Sequence, residues 1–205
     1  MDIGKMISQI IKIITKPKQA LQEVSTQSMT RNDIIIYLAI IGIPTFIGIL
    51  VGYGFFWFWG ASFIVPALIG AIIYYIVSII GIILFGFLLN AFAPTFKSQQ
   101  NQAQALKLVA YAATPWLIAG IFYIIPGWLW FLPMIAGLYG LYILYLGLPI
   151  LMGTPQDQQI PYLIVGAIIY VIIMGVLWWA TQAIIWHMVW SSVWGGYNYY
   201  NYFRY

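Results

Sequence analysis

The chain has 205 residues, of which 63% are hydrophobic and only 6% are charged, and its formal net charge is +4. Soluble domains carry about 25% charged residues because their surfaces face water, so this composition excludes a water-soluble globule. A chain in lipid must form helices or a closed barrel, because every backbone polar group needs an internal partner. The long, nearly continuous apolar runs lack the alternation of barrel strands and predict an all-α, polytopic membrane protein.

The first predicted segment, residues 1–33, holds most of the charge. Basic and polar residues lie mainly on one side of it. The apolar residues recur at helical spacing on the other side, and they are Ile3, Met6, Ile7, Ile10, Ile11 and Ile14. This pattern predicts an amphipathic helix that ends at Pro17, because proline cannot continue a helix interior. The helix either lies on an anionic inner leaflet or packs against the cytoplasmic end of the bundle.

Five apolar runs follow, and each can cross a hydrocarbon core that needs about 20 residues. They cover residues 34–56, 65–92, 106–125, 129–152 and 161–185. The longest polar interruption, residues 93–105, is predicted to be a loop in water. We therefore expect a bundle of five transmembrane helices within residues 34–190, followed by an aromatic, Tyr/Asn/Gly-rich tail at residues 191–205.

The distribution of basic residues predicts the orientation of the bundle, because Lys and Arg are enriched in cytoplasmic loops. Alternate segments, beginning with the N-terminal one, contain seven Lys and Arg residues, Lys97 and Lys107 among them. The segments on the other side contain one, Arg204. The N-terminus is therefore expected inside and the C-terminus outside.

The sequence offers little for catalysis, since it has no cysteine, one histidine and four acidic residues. It contains no paired carboxylates, Ser-His-Asp set, phosphate loop or zinc-protease motif. The histidine, His187, has no ligand partners nearby in sequence and is expected to make an interfacial hydrogen bond. We expect no enzymatic activity, no metal and no cofactor, and the absence of a basic face excludes nucleic acid as a partner.

Prolines and tyrosines inside the predicted helices are the candidates for a pocket. Pro115 frees the backbone carbonyl of Tyr111, and Pro149 frees that of Tyr145. Tyrosine hydroxyls can hydrogen-bond across closely packed helices. The candidate pocket or helix-break residues are Tyr111, Thr114, Pro115, Tyr139, Tyr142, Tyr145 and Pro149.

Glycines inside the helices permit close helix approach, and the candidates are Gly48, Gly52, Gly137 and Gly140. Packing within the bundle is the simpler interpretation, and a kinked helix pair that lines a small polar pocket is the alternative. The tail offers candidate interaction residues, namely Tyr197, Tyr199, Tyr200 and Tyr202. Such a tail is compatible with disorder, with anchoring among headgroups and with binding of a partner.

Several motifs, taken in order, resemble the Yip-domain family. A polar loop leads into Tyr111-x-x-Thr114-Pro115, a Gly- and Tyr-rich run extends from Gly137 to Pro149, and a short helix ends before Pro17. The resemblance covers about residues 5–175. It implies five spans with a cytoplasmic N-terminus. Eukaryotic members interact with Rab GTPases on early secretory membranes and are implicated in vesicle traffic and membrane shaping.

The long N-terminal region of those eukaryotic members, with its Asp-Leu-Tyr-Gly-Pro-like motif, has no counterpart here. We therefore expect a prokaryotic-type member in the plasma membrane. Its predicted function is that of a non-enzymatic membrane-organising or protein-interaction scaffold. The expected partners are the lipid bilayer and either another membrane protein or a second copy of the chain. The alternatives are an accessory subunit of a larger membrane complex and a passive pore or carrier for a small neutral solute.

Overall fold

The computed structural model describes residues 3–52, 64–125, 128–129 and 131–202, except for some side chains that lie mainly beyond residue 184. Seven α-helices occur in this part of the chain: α1 Ile3–Thr15, α2 Pro17–Thr26, α3 Arg31–Val51, α4 Ile64–Phe92, α5 Gln102–Ala119, α6 Phe131–Met152 and α7 Gln156–Tyr202. Two 3₁₀ turns, Ala93–Phe96 and Gly120–Ile124, extend α4 and α5. No strand occurs among the described residues, so the predicted all-α fold is confirmed.

Five of these helices, α3 to α7, are long and apolar enough to cross a membrane. The five predicted spans are therefore confirmed, although some of their limits differ. The segment predicted as a loop at residues 93–105 is helical at both ends, because Ala93–Phe96 forms a 3₁₀ turn and Asn101 starts α5 as an N-cap. The backbone of α7 stays helical as far as Tyr202, and the tyrosine side chains of the predicted tail lie outside the described residues.

The N-terminal segment contains two helices where the sequence analysis predicted one. Pro17 ends α1 and also begins α2 at its first position, where the missing N–H of proline costs nothing. The polar composition of α2 hides its helical character, because only Ala20, Leu21 and Val24 are apolar and buried along one face. The predicted amphipathic helix is present as α1, and a second helix covers part of the bundle beside it.

Helix α5 occupies the centre of the bundle. It packs against α3, α4 and α6, and every residue from Ala105 to Tyr111 is buried. Helix α7 packs mainly on α4 and is the least buried of the five long helices. Helix α2 lies on α6, and α1 lies on α2 and touches α5. The N-terminal pair therefore covers one end of the bundle, here called the N-terminal end, which also carries the loops at 97–101 and 153–155.

The two loops at the N-terminal end are joined to each other. The Gln99 backbone N–H donates to the Met152 carbonyl at 2.7 Å, and the Ser98 hydroxyl donates to the Thr154 hydroxyl at 2.9 Å. Gly153 has a φ of +60°, a left-handed conformation that glycine adopts without strain. This contact fixes the starts of α5 and α7 relative to each other.

Candidate functional site

The centre of the site is a hydroxyl pair between α3 and α5. The Tyr37 and Thr114 hydroxyls lie 2.7 Å apart, and Thr114 also donates to the Ala110 carbonyl at 3.1 Å, so Tyr37 is the donor of the pair. The Tyr37 ring also lies against the Tyr111 ring, with 4.9 Å between the ring centroids. All three side chains are buried. Because Thr114 directly precedes Pro115, the contact holds α3 against the part of α5 whose helical hydrogen bonding the proline interrupts.

Polar side chains of α5 hold the end of α2. The Lys107 ammonium donates to the Val24 carbonyl at 3.3 Å and also to the Gln27 carbonyl, and the Gln104 amide donates to the Ser25 carbonyl at 3.0 Å. The last carbonyls of a helix have no partner within the helix and favour a cation. Lys107, only 3% exposed, supplies that cation from the centre of the bundle.

Lys107 is more deeply buried than its sequence context indicated. The sequence analysis put it at the second residue of the predicted span 106–125 and counted it with the basic residues of the cytoplasmic side. In the structure it lies within α5 at its sixth residue and is buried beneath α2. The C-terminal end of α2 makes this possible, because it supplies carbonyl partners that a lipid-facing position lacks.

A second tether joins α6 to α1. The Tyr139 hydroxyl donates to the carbonyl of Ile14 at the end of α1, at 2.7 Å. Together with Lys107 and Gln104, Tyr139 fixes both N-terminal helices to the bundle at their C-terminal ends. None of these bonds can be read from local sequence spacing, because the partners lie 79 to 125 residues apart.

A polar cavity of about 780 Å³ lies between α1, the α2–α3 connection, α3 and α5. Its lining is formed by Gly4, Met6, Ser8, Gln9, Lys12, Glu23, Gln27, Ser28, Met29, Asp33, Tyr37 and Tyr111. Two of the four acidic residues of the chain are in this lining. Together with Lys12, the cavity lining therefore contains three charged side chains in a chain that has few.

The charged side chains of the cavity are partnered unequally. Lys12 of α1 forms an ion pair of 2.8 Å with Glu23 of α2. Asp33 completes a capping box with Thr30, and both the backbone N–H and the hydroxyl of Thr30 donate to Oδ2 of Asp33. Among the described residues, Oδ1 of Asp33 accepts no hydrogen bond and no cation pairs with its carboxylate.

Two donors in the cavity lack a good acceptor. The side-chain amide nitrogen of Gln9 is buried and has no hydrogen-bond partner in the described part of the chain. The Tyr111 hydroxyl donates only to the thioether sulfur of Met29, at 3.7 Å. Thioether sulfur is a weak acceptor, so the described part of the cavity has unused hydrogen-bond donors beside a carboxylate with one oxygen that accepts no hydrogen bond there.

The structure brings together only part of the predicted pocket. Tyr111 lines the polar cavity, and Thr114 and Pro115 lie directly behind it in α5. Tyr139 contacts α1, and Tyr142 is half-exposed on α6, where its ring lies 5.8 Å from that of Tyr139. The second predicted helix break is elsewhere: Tyr145 and Pro149 are part of α6 and are absent from the lining of this cavity.

The four predicted packing glycines have different surroundings. A Cβ at Gly48 would clash with the backbone carbonyl of Gly120, and one at Gly140 would clash with the carbonyl of Ala112. These two glycines therefore lie at close contacts within the bundle. Gly52 is the buried C-cap of α3. A Cβ at Gly137 would meet only the Trp116 ring edge, at 4.0 Å.

Sequence reasoning missed Tyr37, Gln9 and Asp33 as members of the site. A local signal was present for Asp33, because Thr30-x-x-Asp33 before an apolar run is a capping-box pattern. Tyr37 and Gln9 carried no such signal. His187 is exposed on α7, and no group of three or more His, Cys, Asp or Glu side chains occurs in the part of the chain that the structure describes.

Five apolar helices, with α5 buried at the centre and an N-terminal helix pair bound to one end, define a polytopic α-helical membrane protein. The chain belongs to the Yip1 domain family, since the model of that domain matches residues 11–180. The predicted resemblance to Yip-domain proteins is thereby confirmed, and with it the bilayer as the environment of the protein. No curated protein and no solved structure matches the chain.

Proposed function

We propose that this protein is a non-enzymatic scaffold that organises the membrane or binds other membrane proteins, with α1 as its contact to the inner leaflet. The observation that carries the proposal is the division of the apolar residues of α1 between two faces. Met6 and Ile13 are buried against the bundle, whereas Ile7 and Ile11 are 50% and 56% exposed. One face of α1 thus fixes the helix to the protein, and a second apolar face stays available to lipid.

The exposed apolar face, Ile7, Ile11 and Ile14, is called the isoleucine ridge here. Basic Lys16 and Lys18 follow it and are exposed. An interfacial helix gains affinity from apolar insertion and from attraction of Lys and Arg to anionic headgroups. Because Tyr139 holds the end of α1, insertion of the ridge would act on the bilayer at a fixed position relative to the five spans.

Orientation is part of the same proposal. The bias of seven basic residues to one favours a cytoplasmic location for the N-terminal end of the bundle. The isoleucine ridge then meets the cytoplasmic leaflet of the plasma membrane, which is the anionic leaflet.

Depth-dependent fluorescence tests the leaflet contact on the full chain, which has no native cysteine. An environment-sensitive dye is attached to Ile11→Cys on the ridge or, as control, to Ser8→Cys, which is exposed on α1 and lines the polar cavity. In liposomes with anionic lipid, the fluorescence of the Ile11 label should shift to the blue and be quenched by lipid-borne quenchers. The fluorescence of the Ser8 label should show neither effect. Equal spectra for both labels would contradict the proposal.

An accessory-subunit role is the second candidate, and the exposure of α7 favours it. Val171, Val176 and Trp179 are 68%, 60% and 70% exposed on a helix that packs on few neighbours. Purification in a gentle detergent through an N-terminal tag, followed by mass spectrometry, tests this role. The accessory-subunit role predicts a stoichiometric partner that is lost with the α7 variant Val171→Ala/Val176→Ala. The same partner should be kept with the ridge variant Ile7→Asn/Ile11→Asn. The reverse pattern would favour a partner that docks on the N-terminal helices.

A further inference from the structure

We propose that the polar cavity between α1, α3 and α5 binds a small zwitterion that carries an ammonium and a phosphate a few atoms apart, as in an ethanolamine phosphodiester. This inference goes beyond the scaffold role and does not depend on it, since it concerns a ligand and not a protein partner. It is based on the charges of the cavity, its unused donors and its position behind α1.

The α3 side of the cavity provides the site for the ammonium. The Asp33 carboxylate has one oxygen in the capping box and one without a hydrogen-bond donor among the described residues. A charged ammonium donor bound to such an oxygen forms a hydrogen bond about twice as strong as a neutral one. The hydroxyl of Ser28, also in the lining, is close enough in sequence to Thr30 to share this side of the cavity.

The side of the cavity formed by α1 and α5 provides donors for the phosphate. The Gln9 amide nitrogen is buried without a partner, and the Tyr111 hydroxyl has only the Met29 sulfur. A buried donor without an acceptor is unfavourable, and a phosphate oxygen would supply the missing acceptor. The Lys12 ammonium on this side is paired with Glu23, so their charges offset each other and the hydrogen-bond donors provide the contact with the phosphate.

A ligand with only one of these charges leaves half of the cavity unused. A simple anion would leave the free oxygen of Asp33 without a donor, and a simple cation would leave Gln9 and Tyr111 without acceptors. A zwitterion satisfies both sides, and a volume of about 780 Å³ holds a headgroup together with its glycerol. Because α1 carries the isoleucine ridge on the face away from Ser8 and Lys12, a lipid beside α1 is one source of this group. A soluble phosphodiester is the other.

Native mass spectrometry of the purified full chain in a neutral detergent tests the proposal. The probes are phosphatidylethanolamine, phosphatidylglycerol, which has the phosphate without the ammonium, and soluble glycerophosphoethanolamine. We expect phosphatidylethanolamine to bind about tenfold more tightly than phosphatidylglycerol, the effect of one charge-assisted hydrogen bond. Equal binding of the two lipids by the native chain would overturn the proposal.

Variants assign the two halves of the ligand to the two sides of the cavity. Asp33→Asn should remove the preference for the ammonium lipid, whereas Gln9→Leu should weaken both lipids alike, by roughly fivefold. Asp157→Asn is the matched control, because this carboxylate also lies in the first turn of a long helix and is exposed outside the cavity. An equal effect of Asp33→Asn and Asp157→Asn would show nonspecific charge attraction and overturn the assignment.

The soluble probe identifies the source of the ligand. Displacement of bound phosphatidylethanolamine by glycerophosphoethanolamine would support a site that accepts the free zwitterion. Binding of the lipid alone, with the same sensitivity to Asp33→Asn, would support a headgroup site that also needs the acyl chains.

If the Asp33→Asn variant loses the capping box of α3 and fails to fold, Gln9→Leu and Tyr111→Phe test the proposal. Unchanged lipid binding in both variants would overturn it. None of these outcomes requires a protein partner, so failure here leaves the scaffold proposal standing.

Discussion

The Tyr37 hydroxyl donates to the Thr114 hydroxyl across 2.7 Å and so joins the first spanning helix to the central one. The two partners do not depend on the bond equally. Without Tyr37, Thr114 keeps its bond to the Ala110 carbonyl. Without Thr114, the Tyr37 hydroxyl is left buried at 1% exposure with its described partner gone.

This asymmetry predicts different costs for the two substitutions. Tyr37→Phe should lower the free energy of unfolding by about 0.6 kcal/mol, the usual size of such a bond within a membrane bundle. Thr114→Val should cost more, about 1–3 kcal/mol, because it leaves a buried donor unpaired. Reversible unfolding in mixed micelles measures both. Tyr142→Phe on the half-exposed face of α6 is the control, and equal costs for Tyr37→Phe and Thr114→Val would contradict the assignment of donor and acceptor.

Two glycines of α6 should respond to alanine in opposite ways. At Gly140 a Cβ would clash with the backbone carbonyl of Ala112, so Gly140→Ala should force α5 and α6 apart and cost about 1–3 kcal/mol. At Gly137 a Cβ has ordinary contact distance to Trp116, so Gly137→Ala should be neutral or slightly stabilising. Thermal unfolding of both variants in the same detergent makes the comparison. Destabilisation by Gly137→Ala equal to that by Gly140→Ala would show that the α5–α6 contact is not as close as described.

Loss of Lys107 should release the N-terminal helices without unfolding the bundle. Hydrogen bonds from charged donors contribute about 1.5–3 kcal/mol, and Lys107 makes two of them to the end of α2. Lys107→Met keeps the length of the side chain and removes its donors. Amide hydrogen exchange in residues 17–26 should then become about tenfold faster, while exchange in α4 stays unchanged.

The exposed Lys97 provides the matched control for this experiment. Lys97→Met removes the same charge at the same end of the bundle, where the only described ion pair of Lys97 is a 4.0 Å contact to Asp157. Its exchange profile should match that of the native chain. If Lys107→Met left exchange in α2 unchanged, the tether would contribute nothing to the docking of the N-terminal pair.

Topology is tested with single cysteines at Gln100 and Trp128. Both residues are exposed and lie in connections at opposite ends of the bundle, whereas Ser98 is buried against Thr154 and unsuitable for labelling. In right-side-out vesicles, an impermeant thiol reagent should label Trp128→Cys and label Gln100→Cys only after permeabilisation. Labelling of both without permeabilisation would exclude the five-span topology, and the reversed pattern would exclude only its orientation.

Local features of the sequence were enough to predict the five spans and the amphipathic α1. Length and apolarity decide whether a segment can cross a bilayer, and the spacing of Ile7, Ile11 and Ile14 marks one face of a helix whatever lies against it. The family resemblance likewise followed from motifs in a fixed order, and the match over residues 11–180 agrees with it. The second helix, α2, was not predicted because its few apolar residues gave no comparable periodic signal.

The sequence by itself determined which segments are helical and apolar, because hydropathy and helical period act within one or two dozen neighbouring residues. Only the tertiary structure decided what those helices enclose. Lys107 donates to the carbonyls of Val24 and Gln27 because folding brings the end of α2, where carbonyl oxygens can accept a further hydrogen bond, next to α5. The polar cavity arises in the same way, since α1, α3 and α5 meet only in the folded bundle and bring Gln9, Asp33 and Tyr111 to one site.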